Sequence, residues 1–429
     1  MNAIFLGIYI ALILIRPMDW WEPMLNWQVV TIGAVVTAFV GLPAILGRFS
    51  LTWKQVPQLK LAITFLMATC LSWLAQFYLT GAIDTFQEVG KVIFFFALIL
   101  IMVHTMRDAK ILLWSFLFCA AWLAIHAIMQ HYTGHGFGGK EPLYRIRDYE
   151  TRETTRQAVA FGTFEDPNDL CVVLVVAIPL FYTQFKTSAN SILKVLSLAG
   201  VTLCGYGAWA TNSRGGVVAI FGMITSYILT QAKGFKRYLI LAVAISSVTI
   251  LAPSRFGGGT FSGKDRSTLW GDGLDMFKAH PLFGVGYGEF TTFSSDHLVA
   301  HNTFVHTLAE LGLVGYLPLF LLFFCTVIQL RRILNLKKLI SRDDHVLLTG
   351  IYASLIGYMT GLYFISRQYQ HILYVILSLA ITPVHIICTQ YNLYETVFQT
   401  KKDLKNGLFW GLGSVVFIWL TVRLVNMMG

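Results

Sequence analysis

The sequence predicts an all-α polytopic membrane protein, a single transmembrane domain over residues 1–429 with about 12–13 membrane-spanning helices and a large external loop. Hydrophobic residues make up 56% of the chain and charged residues only 13%, whereas soluble domains carry about 25% charged residues. Apolar runs of about 17–25 residues, long enough to cross the core of a bilayer, recur from one end of the chain to the other. No separable soluble domain is expected.

Thirteen apolar runs are predicted to be helices, although the first and the fourth are short enough that twelve helices is the alternative. The runs cover residues 2–15, 28–47, 61–82, 92–106, 111–130, 171–185, 195–211, 215–232, 238–253, 308–330, 345–365, 371–388 and 408–427. The first run lacks the basic region and the cleavage site of a signal peptide, so we expect it to be retained. All six cysteines lie in or beside such runs and are expected to be packing residues.

The basic residues alternate between the joints that connect the runs. One set of joints holds 18 Lys and Arg against five acids, a net charge of +13, and the other set holds 14 against 17, a net charge of −3, which together make the +10 of the chain. The positive-inside rule assigns the basic set to the cytoplasm. We therefore expect a cytoplasmic amino terminus, with the loops 131–170 and 254–307 outside. Topology explains the net charge, and nucleic acid is not an expected partner.

The stretch 264–316 stays mostly polar or glycine-rich between two apolar runs, and we interpret it as half of an active site. It holds four of the eleven histidines: His280, His297, His301 and His306. His301 precedes Asn302 and Thr303, either of which can cap the helix that follows. The positive end of that helix disfavours imidazolium, so a neutral His301 able to accept a proton is expected. A capping or interfacial histidine is the alternative, and His280 and His306 are expected to be structural.

Two external arginines are candidates for binding phosphate. Arg214 lies between two apolar runs, and the two glycines after it let backbone and ligand approach closely. Arg266 opens a predicted amphipathic segment, Ser267–Lys278. Guanidinium groups bind phosphate through paired hydrogen bonds and remain charged. The alternative for each is an arginine that extends to the lipid headgroups.

The turn Phe164–Asp169 (FEDPND) starts an apolar run with three carboxylates and Asn168. Helix capping and salt bridging are expected there, with an acceptor-sugar site or a metal site as alternatives. The segment Gly284–Gly288 (GVGYG) follows no strand and lacks a Walker lysine, so we interpret it as a flexible turn and not as a nucleotide loop. Asn168, Arg156 and Asn302 are further candidates for substrate binding. No metal site is expected.

Together these segments resemble the O-antigen ligase and O-antigen polymerase superfamily of bacterial envelopes. The resemblance rests on HPLFGVGYGEF and AHNTFVHTLAELGLVGY, preceded by DRSTLW and NSRGG, and on the turn FEDPND. It covers residues 161–316, whereas the rest of the chain agrees only in hydrophobic layout. The order HP-x-x-G-x-G, HN, ELG is the specific part.

The resemblance implies a GT-C-type glycosyltransferase in the bacterial inner membrane. Members of the superfamily transfer a glycan from undecaprenyl diphosphate to an acceptor hydroxyl on the periplasmic side, with inversion and without a metal or other cofactor. The essential histidine of the family falls on His301, and its two diphosphate-binding arginines fall on Arg214 and Arg266. The charge-rich segment 140–156 departs from the family pattern, which leaves the acceptor open.

The acceptor distinguishes three reactions of this superfamily. Transfer to lipid A-core makes a ligase of lipopolysaccharide synthesis, transfer to another lipid-linked glycan makes a polymerase, and transfer to protein makes an O-oligosaccharyltransferase. The moderate length and the single histidine-rich loop favour a ligase. A lipid-linked sugar transporter or flippase is the alternative of another class, but it would require charged residues inside the membrane, and most apolar runs lack them.

Overall fold

The protein is an all-α, multi-pass membrane protein, as the sequence predicts. The computed structural model describes residues 2–25, 27–146, 154–232, 234, 236 and 261–428. Of the described residues, 79% are helical, and only two short strands occur among them. The predicted helix 238–253 lies outside the described residues, as do the loop segments 147–153 and 254–260.

The helices and strands are numbered here in chain order over the described residues. The helices are α1 (Asn2–Ile15), α2 (Val29–Gln55), α3 (Pro57–Leu74), α4 (Leu79–Met102), α5 (Met106–Thr133), α6 (Pro167–Thr187), α7 (Ser191–Ala210), α8 (Arg214–Gln231), α9 (Phe261–Ala279), α10 (Phe290–Phe293), α11 (Thr303–Asn335), α12 (Arg342–Gly361), α13 (His371–Gln390), α14 (Tyr394–Val397) and α15 (Thr400–Met428). The strands β1 (Leu143–Ile146) and β2 (Thr154–Gln157) form an antiparallel hairpin, which no pattern in the sequence predicted.

Each predicted apolar run within the described part of the chain overlaps a helix. Ten candidate spans in that part are long and apolar enough to cross a membrane. The helices α8 and α12 occupy two further predicted runs but are not among the ten. The positions of the predicted helices in the described part of the chain are therefore confirmed. Ten of the described spans, and not the predicted twelve or thirteen, are long and apolar enough to cross a membrane.

The helices divide into an inner and an outer group. In the candidate membrane spans, 89% of the α13 residues and 72% of the α6 residues are buried, against only 17% of the α2 residues. The exposed residues of α2 include Phe39 and Leu46, which are 77% and 79% accessible. Apolar side chains exposed along a whole helix are expected where that helix faces lipid. The helices α6 and α13 are therefore largely enclosed by the other helices of the bundle.

The long helix α11 is interrupted at Gly312, whose φ of 58° and ψ of −157° lie outside the helical region. The loop 281–286 fills this interruption. The N–H of Val285 donates to the carbonyl of Ala309, and the N–H of Leu313 donates to the carbonyl of Pro281, both over 2.9 Å. Backbone groups left unpaired inside a membrane protein are costly, and these bonds satisfy them. The glycine-rich turn that follows His280 is therefore packed against α11.

The joints that were predicted to share one side of the membrane meet at one end of the bundle. The N–H of Thr303 donates to the carbonyl of Leu362 (2.9 Å), which joins the loop before α11 to the end of α12. The side-chain amide of Asn212 donates to the carbonyl of Arg156 (2.8 Å), which joins the α7–α8 joint to the hairpin. That this end faces outward stays a prediction from the charge pattern.

Candidate functional site

His301 lies just before α11, where the cap of that helix fixes its position. The side-chain oxygen of Asn302 accepts hydrogen bonds from the N–H groups of Phe304 (3.0 Å) and Val305 (3.2 Å), so Asn302 is the N-cap and is buried. His301 keeps 30% of its side chain exposed. Its φ of 47° lies in the left-handed region, which costs a non-glycine residue about 1 kcal/mol. Such strain persists where the surroundings fix the backbone.

The surroundings of His301 favour a neutral imidazole. Burial lowers the pKa of His301 from its ordinary value, the positive charge of Arg266 lowers it further, and the negative charge of Asp166 acts in the opposite direction. The Nδ1 atom of His301 lies 3.9 Å from Oδ2 of Asp166, an ion-pair distance that is too long for a direct hydrogen bond. A neutral imidazole can accept a proton at neutral pH.

Arg266 on α9 lies near both His301 and Arg214. Burial lowers the pKa of the Arg266 guanidinium, the charge of Asp166 raises it, and the charges of Arg145 and Arg214 lower it. Burial and the charge of Arg145 also lower the pKa of Arg214. Three guanidinium groups therefore lie close enough to repel one another. A cluster of this kind fits an anion with several oxygen atoms, such as a diphosphate.

A chain of hydrogen bonds connects the joint that carries Arg214 to the carboxylate beside His301. The hydroxyl of Ser213 caps α8 by accepting from the N–H of Gly216 (2.9 Å) and donates to Oδ1 of Asn168 (2.6 Å). The side-chain amide of Asn168 donates to Oδ1 of Asp166 (2.8 Å). Asn168 thus lies between the two parts of the site, with its own oxygen already bonded.

The turn before α6 caps that helix and forms salt bridges, as expected. Asp166 is the N-cap of α6 and accepts from the N–H of Asn168 (2.7 Å). Asp169 is buried and accepts two hydrogen bonds from the guanidinium of Arg367, at 2.6 and 2.5 Å. Over the described residues, no group of three or more His, Cys, Asp or Glu side chains is arranged to hold a metal ion. The six cysteines are free and buried.

The hairpin brings a third arginine, Arg145, close to Arg214 and Arg266. Arg156 on β2 donates to the carbonyl of His131 (3.4 Å) and lies 5.9 Å from the centre of the Tyr144 ring. Arg145 on β1, in the facing strand, is the residue whose charge acts on the arginine cluster. The abundance of charge between residues 140 and 156 was the only sign in the sequence, and it could not show which arginine lies near the cluster.

His306 contacts a carboxylate on its own helix, which fits the structural role expected from the sequence. Its Nε2 atom lies 2.9 Å from Oε1 of Glu310, one turn further along α11. Glu310 is buried, and it accepts hydrogen bonds from the hydroxyl of Tyr369 (2.8 Å) and the N–H of Phe290 (3.2 Å). This carboxylate therefore ties the start of α10 and the α12–α13 joint to α11.

The fold and the site define a polytopic helical membrane protein with a neutral histidine beside a cluster of arginines. Residues 198–320, which include Arg214, Arg266 and His301, match the family model described as O-Antigen ligase. The resemblance to the O-antigen ligase and polymerase superfamily is thereby confirmed over these residues.

Two curated relatives are similar to this chain. The teichuronic acid biosynthesis protein TuaE of Bacillus subtilis (strain 168) is 23% identical over 341 residues, which cover 72% of this chain and 67% of that protein. The exopolysaccharide production protein ExoQ of Rhizobium meliloti (strain 1021) is 27% identical over 277 residues, which cover 50% of this chain and 62% of that protein. The chain thus spans about two thirds of the length of these relatives.

Proposed function

We propose that the protein is a metal-independent, inverting glycosyltransferase of the bacterial inner membrane. It moves a glycan from undecaprenyl diphosphate to an acceptor hydroxyl on the outer side. The observation that carries the proposal is the proximity of a neutral histidine to a cluster of arginines. The charge of Arg266 lowers the pKa of His301, and the charges of Arg145 and Arg214 lower the pKa of Arg266, so these groups lie close together. Such a site offers a proton acceptor beside a region suited to a diphosphate.

In the proposed reaction the acceptor oxygen attacks C1 of the donor sugar from the face opposite the diphosphate. The Nε2 atom of His301 takes the proton of the acceptor hydroxyl as the new C1–O bond forms. The bond between C1 and the diphosphate oxygen breaks at the same time, so the configuration at C1 inverts. General base catalysis of this kind is worth about 10²–10⁴-fold in rate.

Arg214 and Arg266 hold the leaving diphosphate in this proposal, with Arg145 as a third cation. Negative charge grows on the departing oxygen as the bond breaks, and a fixed guanidinium stabilises it without titrating. The loss of one well-placed donor of this type costs about 10²–10³-fold in rate. The prenyl tail of the donor stays among the membrane helices, so the donor does not leave the bilayer.

A growing glycan is the second candidate for the acceptor, beside the lipid A-core of a ligase. Both curated relatives are named for making a polysaccharide, teichuronic acid in one and exopolysaccharide in the other, whereas the family description names a ligase. A polymerase lengthens its own lipid-linked substrate when no other acceptor is added. A ligase forms product only after the core acceptor is supplied.

The proposal is tested with protein purified in detergent and incubated with a lipid-linked glycan, with and without added acceptor. Wild-type protein is expected to form product that is resolved by mass spectrometry. His301→Ala is expected to form none while it elutes from a sizing column like the wild type. A flippase would move the donor across a vesicle membrane and form no product in detergent. Near wild-type transfer by His301→Ala would dispose of the proposed base.

A further inference from the structure

The turn before α6 places one carboxylate against both halves of the site. Oδ2 of Asp166 lies 3.9 Å from Nδ1 of His301, and the charge of Asp166 also acts on the guanidinium of Arg266. From the sequence, helix capping and salt bridging were expected of the turn that contains Asp166. Its place near both the base and the cation requires a further explanation.

We propose that Asp166 is the positioning carboxylate of His301: its charge on the Nδ1 side favours the tautomer that carries the proton on Nδ1 and leaves Nε2 free to take the acceptor proton. The inference rests on the function proposed above. A carboxylate on the Nδ1 side favours a proton on Nδ1, and Nε2 then carries the lone pair. When Nε2 takes the proton, the same carboxylate stabilises the imidazolium ion that forms.

The capping bonds of Asp166 hold its carboxylate still. Oδ1 accepts from the N–H of Asn168 (2.7 Å) and from its side-chain amide (2.8 Å), while Oδ2 is the oxygen nearest to His301. Asn168 is itself fixed by the hydroxyl of Ser213 (2.6 Å). A group that is already ordered can orient its neighbour without a further loss of side-chain freedom, which is what a supporting residue of an active site requires.

The charges around His301 make Asp166 distinctive. Arg266 on α9, Arg367 in the α12–α13 joint and His306 on α11 all act against the imidazolium form of His301. Of the charged groups that act on this imidazole in the described parts of the chain, Asp166 is the one that favours imidazolium. Without it, the other charged side chains that act on this base in the described parts of the chain would all oppose its developing positive charge.

The first test follows the protonation of His301 and needs no substrate. Diethyl pyrocarbonate modifies neutral imidazole, so modification of the peptide that contains His301, measured by mass spectrometry between about pH 5 and 8, gives its titration midpoint. Asp166→Asn keeps a good N-cap but removes the charge, and the midpoint is expected to move to lower pH. Asp166→Ser, another good cap, serves if the first variant fails to fold.

A neighbouring carboxylate provides the matched control for this titration. Glu165 lies next to Asp166 in the sequence but pairs with Lys140 (3.1 Å) and is 64% exposed. Glu165→Gln is therefore expected to leave the His301 midpoint where it is in the wild type. A midpoint that stays unchanged in both Asp166 variants would overturn the inference, because a capping role alone predicts that result.

The second test separates positioning from binding. Asp166→Asn is expected to lower kcat by about 10-fold to 100-fold, a part of the rate that general base catalysis provides. KM for the donor should not rise, because the arginines remain and a negative charge beside the diphosphate is removed. An unchanged kcat in an active enzyme contradicts the inference and leaves the proposed function intact. Absence of product with wild-type protein contradicts the proposed function, while the titration midpoint still reports whether Asp166 acts on His301.

Discussion

Gly284 and Glu310 approach so closely that a β-carbon on Gly284 would overlap the carbonyl carbon of Glu310. The φ of Gly284 is 69°, in the left-handed region. The relationship is reciprocal, because a β-carbon on Gly312 would overlap the carbonyl of Leu282. The two motifs that carry the family resemblance, HP-x-x-G-x-G and ELG, are thus the two sides of one backbone junction.

Gly284→Ala is therefore expected to destabilise the protein by more than the conformational strain alone. The matched control is Gly288→Ala, because Gly288 has a φ of 81° but a β-carbon added to it would meet no atom within 4 Å. The control should cost about 1 kcal/mol, and Gly284→Ala should cost several times more because backbone must move. Thermal unfolding of both variants in detergent measures the difference. Equal melting temperatures would contradict a close junction between the loop and α11.

The ion pair between Asp169 and Arg367 should be needed for stability. Asp169 is only 4% exposed and Arg367 is 25% exposed, so removal of one partner leaves a largely buried charge, at a cost of about 3 kcal/mol. Asp169→Asn and Arg367→Gln are each expected to lower the unfolding temperature. The double variant should lose less than the sum of the two, because neither charge is then left alone. Strict additivity in the double variant would rule out this coupling.

The helices were predictable because apolar length is a local property of the chain. The positions of His301 and Arg214 at the starts of two helices were predictable for a related reason, since both lie where a polar joint meets an apolar run. The approach of Asp166 to His301 (3.9 Å) was not predictable, because a helix cap and a carboxylate that faces a histidine have the same sequence. The interruption at Gly312 was missed as well, since a glycine in an apolar run does not show that a distant loop will fill the gap.

The rate of transfer should depend on pH through His301. The base must be neutral, so kcat/KM is expected to rise as His301 loses its proton. Burial and the charge of Arg266 lower the pKa of His301, so the midpoint of this rise should fall below 6.5, the ordinary value for histidine. A pH profile of kcat/KM for wild-type protein measures it. A midpoint above 6.5 would indicate that another group titrates.

Removal of the charge of Arg266 should move the titration midpoint of His301 to higher pH. Arg266 favours the neutral imidazole of His301, so Arg266→Gln is expected to raise the pKa of His301. The variant should lose about 10²–10³-fold in transfer rate, which leaves too little activity for a pH profile. The titration midpoint of its His301 is therefore measured by diethyl pyrocarbonate modification. Lys278→Ala is the control, because Lys278 is exposed and pairs with Asp275 (2.6 Å). A shift to lower pH in Arg266→Gln would contradict the proximity of the two side chains.

Arg145 should assist donor binding less than the two half-buried arginines, Arg214 and Arg266, do. It lies on the exposed hairpin, and exposed charges contribute about 1 kcal/mol or less, so Arg145→Ala is expected to raise KM for the donor by about fivefold or less, with kcat little changed. Salt screens exposed charges more than buried ones. The difference in KM between Arg145→Ala and the wild type should therefore shrink as ionic strength rises, whereas the defect of Arg266→Gln should persist. A KM for Arg145→Ala equal to that of the wild type at low salt would remove this third cation from the donor site.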